Sequence, residues 1–257
     1  MASIADDLRD GSTADIGDSD DLGDSLAVAA LSLARCFAAG ATLWCIAPEW
    51  PEHARHVAVE FVHPVLVGKR ALPAVSLDSA VPVVALRSLV RAGDVVLAVS
   101  RSDSEPIIDV MRRAEAWGAT TIWIGVGHRP KDRAADHVLW VDDSQQARDA
   151  ALHDGRLVLL YHVLWELTHV CFEHPGLLSA NDADCHDEVC ITCSDEGRVG
   201  EVISADARSA RVRTAKGIET IDTTLISGVG ISGAGISGVS PGDLVLIHAG
   251  AAITEVP

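Results

Sequence analysis

The stretch "LVRAGDVVLAVSRSDSEPIIDVMRRAEAWGATTIWIGVG", residues 89–127, decides the fold class of the larger part of this chain. Its segment "GDVVLAVS" has the pattern of a buried strand, "EPIIDVMRRAEAWGA" that of a helix closing near Gly118, and "TTIWIGVG" that of a second strand. Strand, helix and strand in this order predict two parallel strands joined by a crossover helix. The stretch therefore indicates a parallel sheet.

The same alternation continues on both sides of this stretch, over residues 25–178. The segments "SLAVAALSLARCFAAG" and "PEHARHVAVEFVH" have a helical pattern, while "ATLWCIA" and "DHVLWVD" have the pattern of strands. A long final helix, "RLVLLYHVLWELTHVCFEH", closes the region. We expect residues 25–178 to form an α/β domain with helices on both faces of its sheet.

A different periodicity begins after a polar linker at residues 179–187. The segments "GRVGEVIS", "SARVRTA", "IETIDTTLI" and "DLVLIHAG" alternate with a period of two and are separated by turns. They predict a small all-β, OB-like barrel at residues 188–257. The tract "SGVGISGAGISGVSPG" between them is rich in glycine and serine and predicts a flexible loop. A phosphate-binding loop is disfavoured, because no helix or lysine follows the tract as that motif requires.

Charge and composition exclude several classes of function. The chain of 257 residues has a formal net charge of -17 and is 48% hydrophobic, so it has enough apolar residues for a core and no overall basic surplus for nucleic acid or anionic membranes. Residues 1–24 carry eight aspartates against one arginine and predict a disordered acidic tail.

The sequence has no feature that predicts export or membrane insertion. Residues 1–24 lack the basic start and apolar run of a signal peptide, and no apolar stretch reaches the roughly 18 residues of a membrane span. We expect a cytoplasmic protein whose six cysteines are mostly reduced. Cys36, Cys45 and Cys171 are as readily explained as small buried residues, whereas the close cluster at residues 185–193 suggests metal binding or catalysis.

Residues 89–127 resemble the core of the SIS (sugar isomerase) domain family, in which a Gly-Asp precedes a buried strand and a serine-rich loop opens onto a helix. Hydroxyls and backbone N–H groups at such a helix N-terminus hold phosphate. Residues 53–77 are similar to phosphoheptose isomerases, where His56 and Glu60 match the family's histidine and catalytic glutamate. The pair also has the spacing of metal ligands or of a helical ion pair, and both alternatives stay open.

The departures from that family predict lost catalysis. Where the isomerases carry a G-N-G-G-S loop, this chain has "IAPEW", residues 46–50. The serine loop keeps Ser100, Ser102 and Ser104, but Asp103 replaces its glycine and Glu105 stands where a hydroxyl would meet phosphate. Carboxylates repel a phosphate dianion by about 4 kcal/mol per pair near 4 Å at intermediate dielectric.

The resemblance also implies a second catalytic histidine on the final helix. An alignment anchored on His162 and His169 places Leu157 at that position. His169 and Cys171 also resemble a ligand pair, but at helical spacing they point about 200° apart. The α/β domain is therefore expected to be a degenerate sugar-phosphate pocket or a dimerisation unit.

The segment "PGDLVLIHAGAAITEV", residues 241–256, resembles the signature of the HypC/HupF family of [NiFe]-hydrogenase maturation chaperones, which are small β-barrels. The resemblance covers residues 188–257 and places Cys190 at the family's essential cysteine. It implies that the Cys190 thiolate, with a cysteine of a HypD-type scaffold protein, holds the iron of an Fe(CN)2(CO) unit, for which a soft thiolate is a suitable ligand. It also implies docking on the hydrogenase large-subunit precursor.

Several metal sites are compatible with the cysteine cluster. Cys193 makes a C-x2-C pair with Cys190, so two sulfurs can bind one ion. Cys185 and His186 could complete a zinc site, and His248 is either a further ligand or a hydrogen-bonded structural residue. A thioredoxin-like redox pair is disfavoured because a β-barrel, and not a helix, follows the motif.

Together the two resemblances predict an accessory factor in [NiFe]-hydrogenase maturation that is not an enzyme. Its barrel would carry iron through Cys190 and Cys193, and its α/β domain would form a homodimer or bind a carbohydrate derivative. The alternative is a sugar-phosphate isomerase with a regulatory barrel, in which Glu60 is catalytic. A zinc-binding adaptor is a third possibility.

Overall fold

A computed structural model describes residues 16–130, 134–141, 150–178, 197–226 and 238–256, with side chains described from residue 22 onward and, in the last helix of the α/β domain, from residue 155. Within these ranges the chain forms a five-stranded parallel sheet with helices, followed by a closed five-stranded barrel. Both parts agree with the two periodicities of the sequence.

The parallel sheet has the strand order β2-β1-β3-β4-β5. Its strands alternate with helices along the chain, as residues 89–127 predict. From β1 the chain adds β2 on one side of the sheet and then β3, β4 and β5 on the other side. The crevice between β1 and β3, outside the carboxyl ends of these strands, is where α/β proteins of this kind bind ligands. The elements described are α1 (Ile16–Ala38), β1 (Leu43–Ile46), α2 (Pro51–Val62), β2 (Ala74–Leu77), α3 (Pro82–Leu89), β3 (Val95–Arg101), α4 (Glu105–Trp117), β4 (Thr120–Val126), β5 (His137–Val141), α5 (Ala150–Glu173) and a 3-10 turn (Pro175–Leu177).

Helices cover both faces of the sheet, because the side chains of its buried strands alternate between two cores. In β3, Leu97 packs into a core shared with α1, α2 and α5, whereas the neighbouring Val96 packs into a core shared with α3 and α4. The nearly continuous apolar sequence of β3 follows from burial on both sides.

The Gly-Asp that precedes β3 has a structural role. Asp94 is buried, and its carboxylate accepts hydrogen bonds from the backbone N–H of Thr42 at 2.9 Å, from Trp44 Nε1 at 3.0 Å and from the backbone N–H of Arg91 at 2.9 Å. These bonds join the starts of β1 and β3. They fix the position of β1 relative to β3, the two strands on either side of the crevice.

The barrel closes in the order β10-β8-β7-β6-β9, and its core is a separate apolar cluster. The barrel is closed by one backbone pair between β8 and β10, Asp222 with Ala251. The five strands are β6 (Arg198–Ala205), β7 (Ser209–Thr214), β8 (Gly217–Asp222), β9 (Leu244–His248) and β10 (Ala251–Val256).

Two turns of the barrel explain residues of the C-terminal signature. Ala249 and Gly250 have φ angles of 49° and 80° and form the two-residue connection between β9 and β10, as in a type I′ hairpin. Gly242 has a φ of 97°, and the carboxylate of Asp243 accepts the backbone N–H of Ser240 at 2.7 Å. A glycine is favoured at positions 242 and 250 because it has no Cβ.

The barrel packs against α3 and α4 of the α/β domain through a buried carboxylate. Glu201, on β6, is 3% exposed. Its Oε1 accepts hydrogen bonds from Arg87 Nη2 at 2.6 Å and from Arg113 Nη1 at 2.9 Å, and its Oε2 accepts one from Trp117 Nε1 at 2.9 Å. We refer to these four residues as the interface cluster.

Further contacts surround the interface cluster. Arg213, on β7, donates to the backbone carbonyl oxygens of Arg87 and Val90, and its guanidinium lies 5.8 Å from the Trp117 ring centroid. Leu244 of β9 belongs to the same apolar core as α3 and α4. The two domains are therefore joined by both apolar and charged contacts.

The structure differs from the sequence-based expectation at several boundaries. Helix α1 begins at Ile16, inside the segment predicted as a tail, and α5 begins at Ala150, ahead of the predicted start at residue 156. The sequence analysis did not identify β2 or α3, which have four and eight residues. None of the helices in the described ranges is long and apolar enough to cross a membrane.

Candidate functional site

The candidate site is a cluster of two imidazoles and one carboxylate between α2 and α5. His56 Nε2 lies 3.4 Å from Glu60 Oε1, and His162 Nε2 lies 3.6 Å from the same oxygen. The two imidazole rings meet edge to face with their centroids 5.1 Å apart. We call His56, Glu60 and His162 the His-Glu-His cluster.

Helix geometry and one long-range hydrogen bond bring these side chains together. His56 and Glu60 are four residues apart on α2, which begins with Pro51, so their side chains lie on the same face. Trp165 of α5 donates its Nε1 hydrogen to the backbone carbonyl of Glu60 at 2.8 Å. This bond fixes α5 against α2 and places His162 one turn away, opposite the pair.

The cluster has the composition and dimensions of a divalent-metal site. In the part of the chain that the structure describes, it is the group of three such side chains whose ligand atoms all lie within 4.8 Å of one another. Bonds of 2.0–2.1 Å to a tetrahedral zinc ion place neighbouring ligand atoms about 3.3 Å apart. The 3.4 and 3.6 Å separations are close to that edge. The same groups can instead accept and return a proton.

An open cavity of about 390 Å³ adjoins the cluster. The side chains of His56, Glu60 and His162 are 38%, 18% and 39% exposed, so a small ligand can reach them. Apolar side chains of the 63–68 loop and of α5, together with Glu166, form the rest of the lining; the residues that line the cavity are Glu60, Val65, Leu66, His162, Val163, Trp165 and Glu166.

The loop beside this cavity is fastened to α5. Lys69 Nζ donates to Glu173 at 2.8 Å and to Glu166 at 3.4 Å, and these contacts raise the pKa of Lys69 and lower that of Glu173. His169 Nε2 lies 3.1 Å from the carbonyl oxygen of Arg70, and its Nδ1 lies 2.9 Å from that of Trp165. His169 therefore holds the loop and does not join the cluster.

The second imidazole of the site was missed by the sequence analysis. Leu157, placed there at the position of the family's second histidine, is fully buried in the core. The imidazole that meets Glu60 belongs to His162, which the sequence analysis used as an alignment anchor only. Its spacing of more than 100 residues from His56 leaves no local pattern, so the alignment with the isomerase helix was the available signal.

The serine loop does not form an open phosphate site. Ser100 is fully buried; its hydroxyl accepts the Nε1 hydrogen of Trp123 at 2.9 Å and donates to the backbone carbonyl of Arg101. Ser104, at the N-terminus of α4, donates its hydroxyl to the exposed carboxylate of Glu49. The carboxylate thus lies where the resemblance predicts a phosphate.

The remaining residues of that loop face solvent to different extents. Ser102 is half-buried, and Glu105 is exposed at the first position of α4. Asp103 is exposed, and a hydrogen bond from Arg101 lowers the pKa of its carboxyl. Negative charge therefore surrounds the N-terminus of α4.

The predicted metal ligands of the barrel fall mostly outside the described residues. Cys185, His186, Cys190 and Cys193 all lie there. His248 is described: it is the half-buried last residue of β9 and pairs with Ala251.

Three other cysteines are described as free thiols. Cys45 and Cys171 are buried, and burial raises the pKa of both thiols, which makes them poor nucleophiles. Cys36 is half-buried, with its sulfur 3.7 Å from the Thr120 hydroxyl.

No protein-family model matches the chain, and no curated protein sequence is similar enough to be paired with it. Solved structures are similar to it over about the share of the chain that the α/β domain occupies. A phosphoheptose isomerase from Francisella tularensis has 17% identity and a TM-score of 0.48, covering 59% of this chain and 91% of that one.

Two further structures have the same kind of similarity. The phosphoheptose isomerase GmhA from Neisseria gonorrhoeae has 19% identity and a TM-score of 0.46, covering 58% of this chain and 90% of that one. The Vibrio vulnificus NanR protein, complexed with ManNAc-6P, has 18% identity and a TM-score of 0.43, covering 63% and 65%.

Proposed function

We propose that the protein is an accessory factor in [NiFe]-hydrogenase maturation, whose barrel binds the large-subunit precursor and a HypD-type scaffold and passes on an Fe(CN)2(CO) unit. The observation that carries this proposal is that residues 241–256, which resemble the HypC/HupF signature, form β9 and β10 of a small closed barrel. The resemblance predicts a barrel of this kind.

Part of that signature serves the barrel itself. Gly242 and Gly250 have positive φ angles, and the Asp243 carboxylate accepts a backbone hydrogen bond in the turn before β9. These residues are explained by the barrel structure, so they are not evidence for the function. The functional part of the proposal rests on Cys190 and His248. Because Arg198 of β6 pairs with Ile247 of β9, the chain enters the barrel beside His248. The proposed iron ligands are the thiolates of Cys190 and Cys193, which lie outside the described residues, and His248 is a candidate for a further ligand.

The residues at the N-terminus of α4, where the resemblance predicts a phosphate, argue against sugar-phosphate isomerisation. Glu49 already holds the Ser104 hydroxyl at the N-terminus of α4, and Glu105 adds a second carboxylate. A phosphate dianion would have to displace one carboxylate and approach another. We therefore assign to the α/β domain a ligand without phosphate, or a divalent cation, at the His-Glu-His cluster.

Replacing Cys190 with serine in the native host tests the maturation role. We expect loss of hydrogen uptake and, in protein purified without oxygen, loss of the infrared bands of bound CO and cyanide. Cys36→Ser, which removes a free thiol elsewhere in the chain, is the matched control and should leave both unchanged. Undiminished hydrogen uptake in Cys190→Ser would overturn the proposal, and zinc without iron, CO or cyanide would favour a zinc-binding adaptor.

Replacing Glu49 with alanine tests the proposal that this carboxylate prevents phosphate from binding at the N-terminus of α4. The change frees the Ser104 hydroxyl and removes a carboxylate at the N-terminus of α4, where a phosphate could then bind. Inorganic phosphate is expected to raise the unfolding temperature of this variant but not that of the wild type. Glu52→Ala, which removes an exposed carboxylate in the first turn of α2, is the control. Equal phosphate effects in all three proteins would contradict the assignment.

A homodimer formed through the α/β domain is a further part of the proposal. Val59 of α2 and Leu159 of α5 are 47% and 63% exposed, and Val67 of the adjoining loop is fully exposed. Apolar side chains of this size on neighbouring elements are suited to a subunit contact. Sedimentation should give a dimer for the wild type and a monomer for Leu159→Lys, whereas a monomeric wild type would contradict this part.

The second candidate is an aldose–ketose isomerase, and the geometry of the His-Glu-His cluster favours it. Glu60 lies within 3.6 Å of two imidazole nitrogens, which suits a group that moves a proton between neighbouring carbons. Assays with heptose and hexose phosphates test this candidate. Turnover that Glu60→Gln abolishes and Glu52→Gln, at an exposed position of the same helix, preserves would place it ahead of the maturation role.

A further inference from the structure

A buried tyrosine stands behind the His-Glu-His cluster. Tyr161, the residue before His162 on α5, is 1% exposed. Its hydroxyl oxygen lies 2.9 Å from His56 Nδ1 and 3.4 Å from His53 Nδ1. Both imidazole rings meet the tyrosine ring edge to face, with centroids 5.2 and 5.9 Å away. The tyrosine hydroxyl therefore lies between two histidines of α2.

The nitrogen of His56 that Tyr161 contacts is the one that faces away from the cluster. A neutral imidazole has one N–H donor and one acceptor nitrogen, so the hydrogen bond at Nδ1 decides what Nε2 can do. If Nδ1 accepts, the ring proton is on Nε2 and is donated toward Glu60, 3.4 Å away. If Nδ1 donates, the Nε2 lone pair is free for a cation or an incoming proton.

A hydroxyl can serve both arrangements, because it donates one hydrogen and also accepts. A carbonyl or carboxylate in its place could only accept, and would hold the His56 proton on Nδ1. When Tyr161 accepts from His56, its own hydrogen is directed at His53 Nδ1. His56 carries one ring proton in either arrangement, and the two forms interconvert by exchange with solvent.

We propose that Tyr161 is a positioning residue that lets His56 take the tautomer required by the occupant of the His-Glu-His cluster. With the cluster empty, Tyr161 donates to Nδ1 and His56 donates from Nε2 to Glu60. With a divalent cation bound, His56 donates from Nδ1 to Tyr161 and binds the cation through Nε2. This inference rests on the proposal that the cluster is the binding site of the α/β domain, and it is independent of the hydrogenase role.

Zinc binding to the full chain tests the inference, with Tyr161→Phe compared to the wild type by competition with a chromophoric chelator. Removing the hydroxyl leaves the Nδ1 hydrogen of the metal-bound tautomer without this acceptor, and we expect zinc affinity about 10- to 100-fold lower, the range for such supporting groups. Thr168→Val is the matched control: it deletes a buried hydroxyl of the same helix, bonded to the Leu164 carbonyl, and should change zinc affinity less than about 2-fold.

Nitrogen-15 NMR of the histidine rings supplies a readout that a purely structural role would not change. In the wild type, the ring proton of His56 is expected on Nε2 without zinc and on Nδ1 with zinc. In Tyr161→Phe the metal-free ring should become a mixture of tautomers. Identical His56 nitrogen shifts and equal zinc affinity in wild type and Tyr161→Phe would overturn the inference.

A third variant separates the failure of the inference from that of the site. If His162→Ala binds zinc as tightly as the wild type, the cluster is not the zinc site, and the assignment of the α/β domain fails. If the wild type binds no zinc, the metal-free spectra still decide: an unchanged His56 tautomer in Tyr161→Phe contradicts the positioning role, and a changed one supports it.

Discussion

The His-Glu-His cluster and the interface cluster are each built around one glutamate, yet they differ in what they can bind. Glu201 of the interface cluster is 3% exposed and accepts hydrogen bonds from two arginines and a tryptophan. Glu60 is 18% exposed, has two imidazoles near one oxygen, and borders a cavity of about 390 Å³. A carboxylate whose acceptor sites are filled by fixed donors is structural; one with an open side is a binding site.

The largest effect on stability is expected from removing Glu201, the buried carboxylate of the interface cluster. Glu201→Ala removes the shared partner of Arg87 and Arg113 and leaves the buried Nε1 hydrogen of Trp117 without its acceptor, and we expect a loss of about 1–3 kcal/mol of unfolding free energy. Urea denaturation measures the change. Glu219→Ala, which breaks a partly exposed pair with Arg198 on the barrel, should cost less than about 1 kcal/mol. Similar losses in both variants would show that burial does not distinguish the pairs.

For the His-Glu-His cluster we expect a loss of binding and little loss of stability. Glu60→Ala should lower zinc affinity by at least about 100-fold, because it removes one of three ligands, while the unfolding free energy changes little. Isothermal titration calorimetry with zinc measures the affinity. Glu166→Ala, on the rim of the same cavity, is the control. If Glu60→Ala loses several kcal/mol of unfolding free energy but keeps its zinc affinity, Glu60 has a structural role like that of Glu201.

The two serines of the predicted phosphate loop sharpen the same distinction within one segment. Ser100→Ala leaves the buried Nε1 hydrogen of Trp123 without its acceptor, and we expect a loss of about 1–3 kcal/mol of unfolding free energy. Ser102→Ala, at a half-buried position two residues on, should be close to neutral. Chemical denaturation of both variants is the measurement. Equal stabilities would argue against a core role for Ser100.

The smallest expected effect is a pH dependence of the Arg198–Glu219 pair. The hydrogen bond from Arg198 lowers the pKa of Glu219 below its unfolded value of about 4.3. The stability it contributes is therefore present above about pH 4.3 and is lost as pH falls through the lowered folded pKa. The stability difference between the wild type and Arg198→Leu, under about 1 kcal/mol at pH 7, should shrink below that pH. A difference that stays constant to pH 3 would contradict this assignment.

The fold was predictable where periodicity is strong. Residues 89–127 show strand, helix and strand periods clearly, and β3, α4 and β4 lie where these periods place them. The barrel was predictable because its strands alternate with a period of two. The elements β2 and α3 were missed because four and eight residues are too few to distinguish one period from another.

The candidate site was only half predictable. His56 and Glu60 are one helical turn apart, so the sequence places them on a common face. His162 and Tyr161 lie on α5, which is apolar on most sides, and its pattern does not indicate which face meets α2. Glu201, in a strand whose polar residues are expected to face solvent, is buried because the barrel packs against α4 at that point.

The sequence by itself determined the strand, helix and strand of residues 89–127, the change of periodicity after residue 178 and the pairing of His56 with Glu60, because these follow from interactions over a few residues. Tertiary structure alone decided that His162 completes the cluster, that Glu49 lies at the N-terminus of α4 and that Glu201 joins the domains. Each of these contacts joins residues at least 55 positions apart. The physical reason is that such pairs form when helices and strands pack, and packing depends on the whole surface of each element and not on its local period.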